Sequence, residues 1–156
     1  MTVMPEAYRL RLLHWQLFCT LTFRNPPRNR SFSLPIVFVW LRNVAKVTEI
    51  HFKRLIWVLR FEVGPRGGRG HYHLCLAGIP SASLGRELCL QLESVWKTQS
   101  GGLAEVALYD QARGGLDYIL KLPYHLLRNG SSGTGPDDCE PMLSNSLLKM
   151  IRRSRM

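Results

Sequence analysis

The chain has 156 residues, of which 46% are hydrophobic, so it fits one domain with a substantial core. Lysine and arginine number 21 against 11 acidic residues, and the resulting net charge of +10 favours nucleic acid as a partner, with an anionic membrane surface as the alternative. The four cysteines form no CxxC pair, which argues against a zinc ribbon or a thioredoxin-like motif and is typical of reduced cytosolic thiols.

The sequence gives no sign of secretion or of a membrane span. Arg9, Arg11 and His14 interrupt any apolar stretch that could act as a secretion signal. The longest strongly apolar run, residues 34–41, is too short to cross a bilayer. We therefore expect a protein that is not secreted and does not span a membrane. Of the two kinds of anionic partner, we expect nucleic acid and no membrane.

In chain order, the hydrophobic patterns predict strand, helix, strand, strand, helix, strand and helix. Alternating or β-branched runs predict the strands, and apolar stripes at helical spacing predict the helices. Ser83 is the expected N-cap of the second helix, and Pro123 is expected to end the third. The predicted strands are 17–23, 55–62, 71–77 and 104–109, and the predicted helices are 32–47, 83–97 and 112–122.

This order is that of the split-βαβ, or ferredoxin- and RRM-like, α+β fold. It predicts an antiparallel sheet with two helices on one face, the other face open, and one additional helix that carries Tyr118. A shift in composition at Arg128 divides the chain into a domain of residues 1–127 and a segment of residues 128–156. That segment is predicted to be a flexible linker and a basic C-terminal tail, the tail forming a terminal helix or a disordered arm.

The strongest local signal is His71-Tyr72-His73 in the third predicted strand. Residues i and i+2 of a strand share a face and lie about 6.5 Å apart, so two imidazoles can converge on one cation. Glu62 ends the preceding strand, and if it lies opposite His71 its carboxylate shares that face at about 5 Å. Cys75 has the same parity but would sit about 13 Å from His71, so we assign it to packing.

Two histidines and one carboxylate suit Mn²⁺, Zn²⁺ or Fe²⁺, and also Mg²⁺ when a phosphate adds oxygen ligands. The less specific interpretation is that one histidine caps the strand and the other packs. A glycine-rich connection between Glu62 and His71, together with the excess positive charge, favours the metal site.

The last predicted helix contains Tyr118 and Lys121, which are three residues apart and share a helix face. A phenolate close to a metal can attack a phosphorus atom, and a lysine can offset negative charge there. The alternative for Tyr118 is a packing role, because Leu116, Ile119 and Leu120 surround it in the sequence.

Three segments in this order resemble the HUH endonuclease superfamily, specifically the nuclease domains of rolling-circle replication initiators. Residues 18–23 (FCTLTF) resemble their first strand motif, and His71-Tyr-His73 after an acidic residue resembles the metal motif that names the superfamily. Residues 117–121 (DYILK) resemble the third motif, in which a nucleophilic tyrosine is followed three places on by lysine.

The resemblance implies Glu62, His71 and His73 as ligands of Mn²⁺ or Mg²⁺, and Tyr118 with Lys121 as catalytic residues. It implies sequence-directed nicking of single-stranded DNA at a replication origin, through a 5′-phosphotyrosine link and a free 3′-OH, followed by strand rejoining. Further implied partners are a host replication helicase or polymerase. The implied location is the cytoplasm of a bacterial or archaeal host, or the nucleus for a eukaryotic virus.

Alternatives remain at this stage. A non-cleaving, single-stranded nucleic-acid-binding module has the same order of elements, although Tyr72 is expected to face the core rather than stack on bases. A transposase or relaxase of the HUH superfamily and a zinc-dependent hydrolase with Glu62 as base are also open. For any DNA-binding function, the candidate phosphate contacts are five arginines in two loops, Arg24, Arg28, Arg30, Arg66 and Arg69.

Overall fold

The computed structural model describes residues 9–25, 30–63, 69–120 and 141–153. Its strands are β1 (Leu17–Thr22), β2 (Ile56–Val63), β3 (Gly70–Ala77), β4 (Ala104–Leu108) and β5 (Met142–Leu143). Its helices include α1 (Arg30–Val47), α2 (Arg86–Ser100), α3 (Gly115–Leu120) and α4 (Asn145–Arg153), and residues 9–12 are helical as well.

All strand pairs are antiparallel, and the sheet has the order β4-β1-β3-β2-β5. The predicted α+β class with an antiparallel sheet is therefore confirmed. In β1, every second residue is buried from Leu17 onward, as expected for a strand with one face on a core. In β2 and β3, long apolar runs are buried on both faces, which requires cover on both sides of the sheet.

One face of the sheet carries the larger core, against which α1 and α2 pack. Trp40 of α1 and Trp96 of α2 are fully buried with ring centroids 6.2 Å apart. Tyr72 lies on this face, is fully buried, and shares a 2.7 Å hydrogen bond with the hydroxyl of Ser33. The expectation that Tyr72 points to the core is confirmed.

The second face is not open, which corrects the prediction from the sequence. Val58, Cys75 and Ala77 are apolar residues of the two central strands on this face, and exposing them would be unfavourable. Leu116 and Ile119 of α3, with Leu147 and Ile151 of α4, cover them. The remaining part of this face holds the polar residues of the candidate site.

The C-terminal segment contributes to this cover. β5 pairs with β2, and Leu147 of α4 is buried against the sheet. Residues 142–153 therefore pack on the sheet, and the predicted terminal helix is present as α4. The predicted boundary at 127 and 128 lies outside the described residues. Within the described ranges, the structure contains no helix with the length and apolar character that a membrane span requires.

Two helix starts differ from the prediction. Ser83 lies in a single 3-10 turn, and α2 begins later, at Arg86, with Gly85 as its N-cap and no side-chain cap bond. The final helix does not begin at residue 112, because residues 111–113 form a separate 3-10 turn. Gly114 ends that turn in the left-handed region, at φ 64°, and α3 then begins at Gly115.

Candidate metal centre

The β2–β3 hairpin brings three potential metal ligands together. Glu62 pairs directly with His71 across the hairpin, so the predicted register is confirmed. His73 follows two residues later on the same face of β3. One ligand atom from each of Glu62, His71 and His73 lies within 4.8 Å of the other two, a grouping that can hold a metal ion.

The Glu62 carboxylate occupies the centre of this group. Its Oε2 lies 3.5 Å from Nε2 of His71 and 3.4 Å from Nε2 of His73. The Glu62 side chain is only 9% exposed, and those of His71 and His73 are 23% and 13% exposed. A largely buried carboxylate facing two nitrogen donors is a set that fits Mn²⁺, Zn²⁺ or Fe²⁺ and leaves positions for other oxygen ligands.

Hydrogen bonds on the outer side of each imidazole orient these donors. Nδ1 of His71 lies 3.1 Å from the carbonyl oxygen of Arg69. A carbonyl only accepts, so Nδ1 carries the proton in this hydrogen bond, and the neutral imidazole then has its Nε2 lone pair available for a metal ion. Nδ1 of His73 lies 3.1 Å from Oγ1 of Thr20 on β1, which can fix His73 in the same tautomer.

Arg60 links the candidate metal ligands to α3. Its side chain is only 3% exposed, and Nε lies 3.9 Å from Oε1 of Glu62. Nη1 donates a 3.1 Å hydrogen bond to the carbonyl of Ile119 in α3. The buried guanidinium therefore compensates the charge of Glu62 and ties the helix that carries Tyr118 to the hairpin.

The hydroxyl of Tyr118 reaches the same carboxylate oxygen. It donates a 3.1 Å hydrogen bond to Oε2 of Glu62, and its ring lies edge-on to His73 with centroids 5.0 Å apart. The residue is 51% exposed, so the ring is open to solvent while its hydroxyl enters the site. Of the two roles considered for Tyr118, packing alone does not account for this placement.

A close contact seats α3 on the sheet. A Cβ atom built at Gly115 would lie 2.6 Å from Cδ2 of Phe18, which is far inside ordinary contact distance. Phe18 in turn stacks on His73, with centroids 5.8 Å apart and ring planes at 21°. Glycine at position 115 thus lets α3 lie directly against the Phe18 ring, which in turn stacks on the candidate ligand His73.

The described cysteines take no part in the site. Cys75 is fully buried among the apolar residues of the second face, and burial raises the pKa of its thiol. Burial likewise raises the pKa of Cys19 and Cys89, which belong to the larger core. The packing role predicted for Cys75 is confirmed, because its side chain is fully buried within this apolar cluster.

Three of the remaining predicted site residues are described by the structure, and three are not. Lys121, Arg28 and Arg66 lie outside the described residues. Arg24 and Arg69 are exposed beside the ends of β1 and β3, and Arg30 begins α1. The sequence reasoning missed Thr20 and Arg60, although each had a signal: Arg60 is a charge within an apolar strand at the parity of Glu62, and Thr20 alternates with core residues on β1.

No protein-family model matches this chain, and a search among curated proteins finds no match either.

Proposed function

We propose that this protein is a metal-dependent endonuclease that nicks and rejoins single-stranded DNA, with Tyr118 as nucleophile. The observation that carries the proposal is the position of the Tyr118 hydroxyl, 3.1 Å from the Glu62 oxygen that faces both His71 and His73. A phenol, a divalent-metal ligand set and a strongly basic chain are the components that phosphodiester transfer to tyrosine requires.

In the proposed reaction, the phenolic oxygen of Tyr118 attacks the scissile phosphorus and its proton passes to solvent. The bond from phosphorus to the 3′ oxygen breaks, and that oxygen takes a proton to leave a free 3′-OH. The 5′ side remains linked to Tyr118 as a phosphotyrosine, and attack by a 3′-OH reverses the link and rejoins the strand. When bound by Glu62, His71 and His73, Mn²⁺ or Mg²⁺ supplies Lewis-acid polarisation of the phosphate.

The sheet supports the proposed class of protein. Four of its strands have the order β4-β1-β3-β2, with α1 between β1 and β2 and α2 between β3 and β4, as in a split βαβ fold. The resemblance to rolling-circle initiators would make the substrate an origin of replication and Lys121 a helper that offsets phosphate charge. Under this proposal a host polymerase that extends the 3′-OH or a host helicase that separates the strands is a further partner, in a prokaryotic cytoplasm or a eukaryotic nucleus.

The direct test is to incubate the protein with labelled single-stranded oligonucleotides and Mn²⁺ and to look for a covalent adduct on a denaturing gel. We expect Tyr118→Phe to abolish both cleavage and adduct, because the change removes the attacking oxygen and keeps the ring. The free energy of unfolding of the metal-free protein should fall by about 1.5–3 kcal/mol, the range for one hydrogen bond to a charged group, so the variant should remain folded.

Tyr109→Phe is the matched control. The Tyr109 hydroxyl accepts a 3.2 Å hydrogen bond from the backbone of Leu116, and burial raises the pKa of this phenol. It should therefore remain protonated and inactive as a nucleophile, and Tyr109→Phe should still form the adduct. An adduct mapped by mass spectrometry to Tyr109, or full activity of Tyr118→Phe, would reject the assignment. Binding of DNA with no adduct in the unmodified protein would favour the non-cleaving module.

A further inference from the structure

We infer that the phenolic oxygen of Tyr118 is itself a ligand of the cation in the DNA-free protein, alongside Glu62, His71 and His73. The inference rests on the metal site of the proposed function and concerns how that site is held before substrate arrives. It makes the nucleophile part of the coordination shell, so that a substrate phosphate has to compete with it for the cation.

The distances around Glu62 carry this inference. Oxygen and nitrogen ligands bound at about 2.1 Å to one cation lie about 3.0 Å apart in adjacent octahedral positions and about 3.4 Å apart in a tetrahedron. Oε2 of Glu62 lies 3.5 Å from His71 Nε2, 3.4 Å from His73 Nε2 and 3.1 Å from the Tyr118 hydroxyl oxygen. The hydroxyl is thus as close to the central carboxylate oxygen as the two imidazole donors are.

The surroundings of Tyr118 keep the hydroxyl in place. Its ring packs in a T-shaped arrangement with that of His73, and the neighbouring carbonyl of Ile119 accepts a hydrogen bond from the buried Arg60. Gly115 and Phe18 seat the other end of α3 against His73. Because contacts at both ends hold the short helix, its tyrosine needs little movement to coordinate a cation that Glu62, His71 and His73 hold.

Coordination also suits the chemistry of a phenol. Metal coordination is one of the ways in which proteins activate nucleophiles, tyrosine among them. The exposed side of the ring leaves room for a DNA strand to approach the cation from solvent. A substrate phosphate that displaced the Tyr118 oxygen would lie next to that oxygen, which is the atom proposed to attack it.

The test uses Fe³⁺ as a probe, because a phenolate bound to Fe³⁺ gives a visible charge-transfer absorption that imidazole and carboxylate ligands do not give. The metal-free protein is loaded with one equivalent of Fe³⁺, and its spectrum is compared with those of three variants. We expect the band in the unmodified protein and in Tyr109→Phe, and its loss in Tyr118→Phe and His73→Ala. In calorimetry, Tyr118→Phe should bind Mn²⁺ about tenfold more weakly, at the lower end of the effects of losing a metal-site contact.

Each outcome separates this inference from the proposed function. Absence of the band in the unmodified protein, or its persistence in Tyr118→Phe, would overturn coordination by Tyr118. A weaker Mn²⁺ affinity of Tyr118→Phe without any band would also overturn coordination. It would mean that the Tyr118 hydroxyl acts only through its hydrogen bond with Glu62. A covalent DNA adduct without the band would support the proposed nuclease and reject coordination by Tyr118. The band without an adduct would support coordination by Tyr118 and reject the proposed nuclease.

Discussion

A single hydroxyl on β1 lies within hydrogen-bond distance of the imidazole of His73. If Thr20 holds Nδ1 of His73, then Thr20→Val, which keeps the shape and removes the hydroxyl, should weaken Mn²⁺ binding roughly 10- to 100-fold. Calorimetric titration measures the affinity directly.

Thr22→Val is the matched control for this prediction. Thr22 lies opposite His71 on β1, but its hydroxyl donates to the carbonyl of Leu103 rather than to an imidazole. Its substitution should leave the Mn²⁺ affinity within about twofold. Equal losses in the two variants would mean that β1 as a whole, and not the hydroxyl of Thr20, supports the site.

Arg60 is the residue whose charge is most deeply buried near the site. Arg60→Met should destabilise the metal-free protein by about 3–5 kcal/mol, because removing one member of a buried ion pair leaves the other charge uncompensated. Urea unfolding followed by circular dichroism measures the change in the free energy of unfolding.

An exposed ion pair of the same kind provides the comparison. Arg113 and Asp110 lie 3.8 Å apart, with side-chain exposures of 85% and 56%. Arg113→Met should change the free energy of unfolding by less than about 1 kcal/mol, because solvent screens such pairs. If Arg60→Met costs no more than Arg113→Met, Arg60 does not couple Glu62 to α3.

The packing of α3 against the sheet depends on the glycine at position 115. Gly115→Ala would place a methyl group 2.6 Å from the Phe18 ring, so either α3 or Phe18 has to move. We expect a loss of stability of about 1–3 kcal/mol from overpacking, together with a lower cleavage rate because the displacement reaches Tyr118 or His73.

Two further variants separate this effect from a change in helix propensity. Gly85→Ala at the N-cap of α2 adds the same methyl group where no atom lies within 4 Å, and its activity should be unchanged. Combining Gly115→Ala with Phe18→Leu makes room beside the helix and should recover part of the activity. Failure of the double variant to recover any would show that the glycine is required for another reason.

The elements also show which parts of the site the sequence could predict. A strand has a period of two, so the spacing of His71 and His73 was enough to place both imidazoles on one face. The length of the hairpin connection then allowed Glu62 only a few pairings with the next strand. In the pairing that the structure shows, all three ligands lie together. The start of α3 was not predictable in the same way, since Gly114 breaks the helical pattern by its left-handed backbone rather than by hydrophobicity.

Contacts between distant parts of the chain were beyond the sequence patterns. Nothing in the basic composition of residues 144–156 indicated that Leu147 and Ile151 would cover Val58 and Cys75 on the second face. Similarly, the bond from Arg60 to Ile119 joins residues that are 59 positions apart. Such contacts follow from tertiary packing, whereas periodicity reports only which residues of one element share a face.

For the molecule as a whole, the charge of +10 and the metal centre are expected to serve separate steps. Binding of single-stranded DNA should depend on many arginines and lysines, so the logarithm of the affinity should fall linearly with the logarithm of salt concentration, with a slope of about −0.7 for each phosphate neutralised. From 50 to 200 mM salt, each such phosphate lowers the affinity about 2.6-fold. Replacing the exposed Arg24 or Arg69 by Ala should make this slope shallower by about 0.7 each, if each contacts one phosphate.

Cleavage, in contrast, should depend on the single cation at Glu62, His71 and His73. His73→Ala, or EDTA added to the unmodified protein, should abolish cleavage, because the phosphate then loses its Lewis acid. Both should leave the salt slope of DNA binding unchanged, since the arginines and lysines that contact phosphates remain. Fluorescence anisotropy with a labelled oligonucleotide measures binding at several salt concentrations, and a denaturing gel measures cleavage in the same samples. Cleavage that persists in EDTA would refute the metal mechanism, and an affinity that does not change with salt would refute the role of the basic surface.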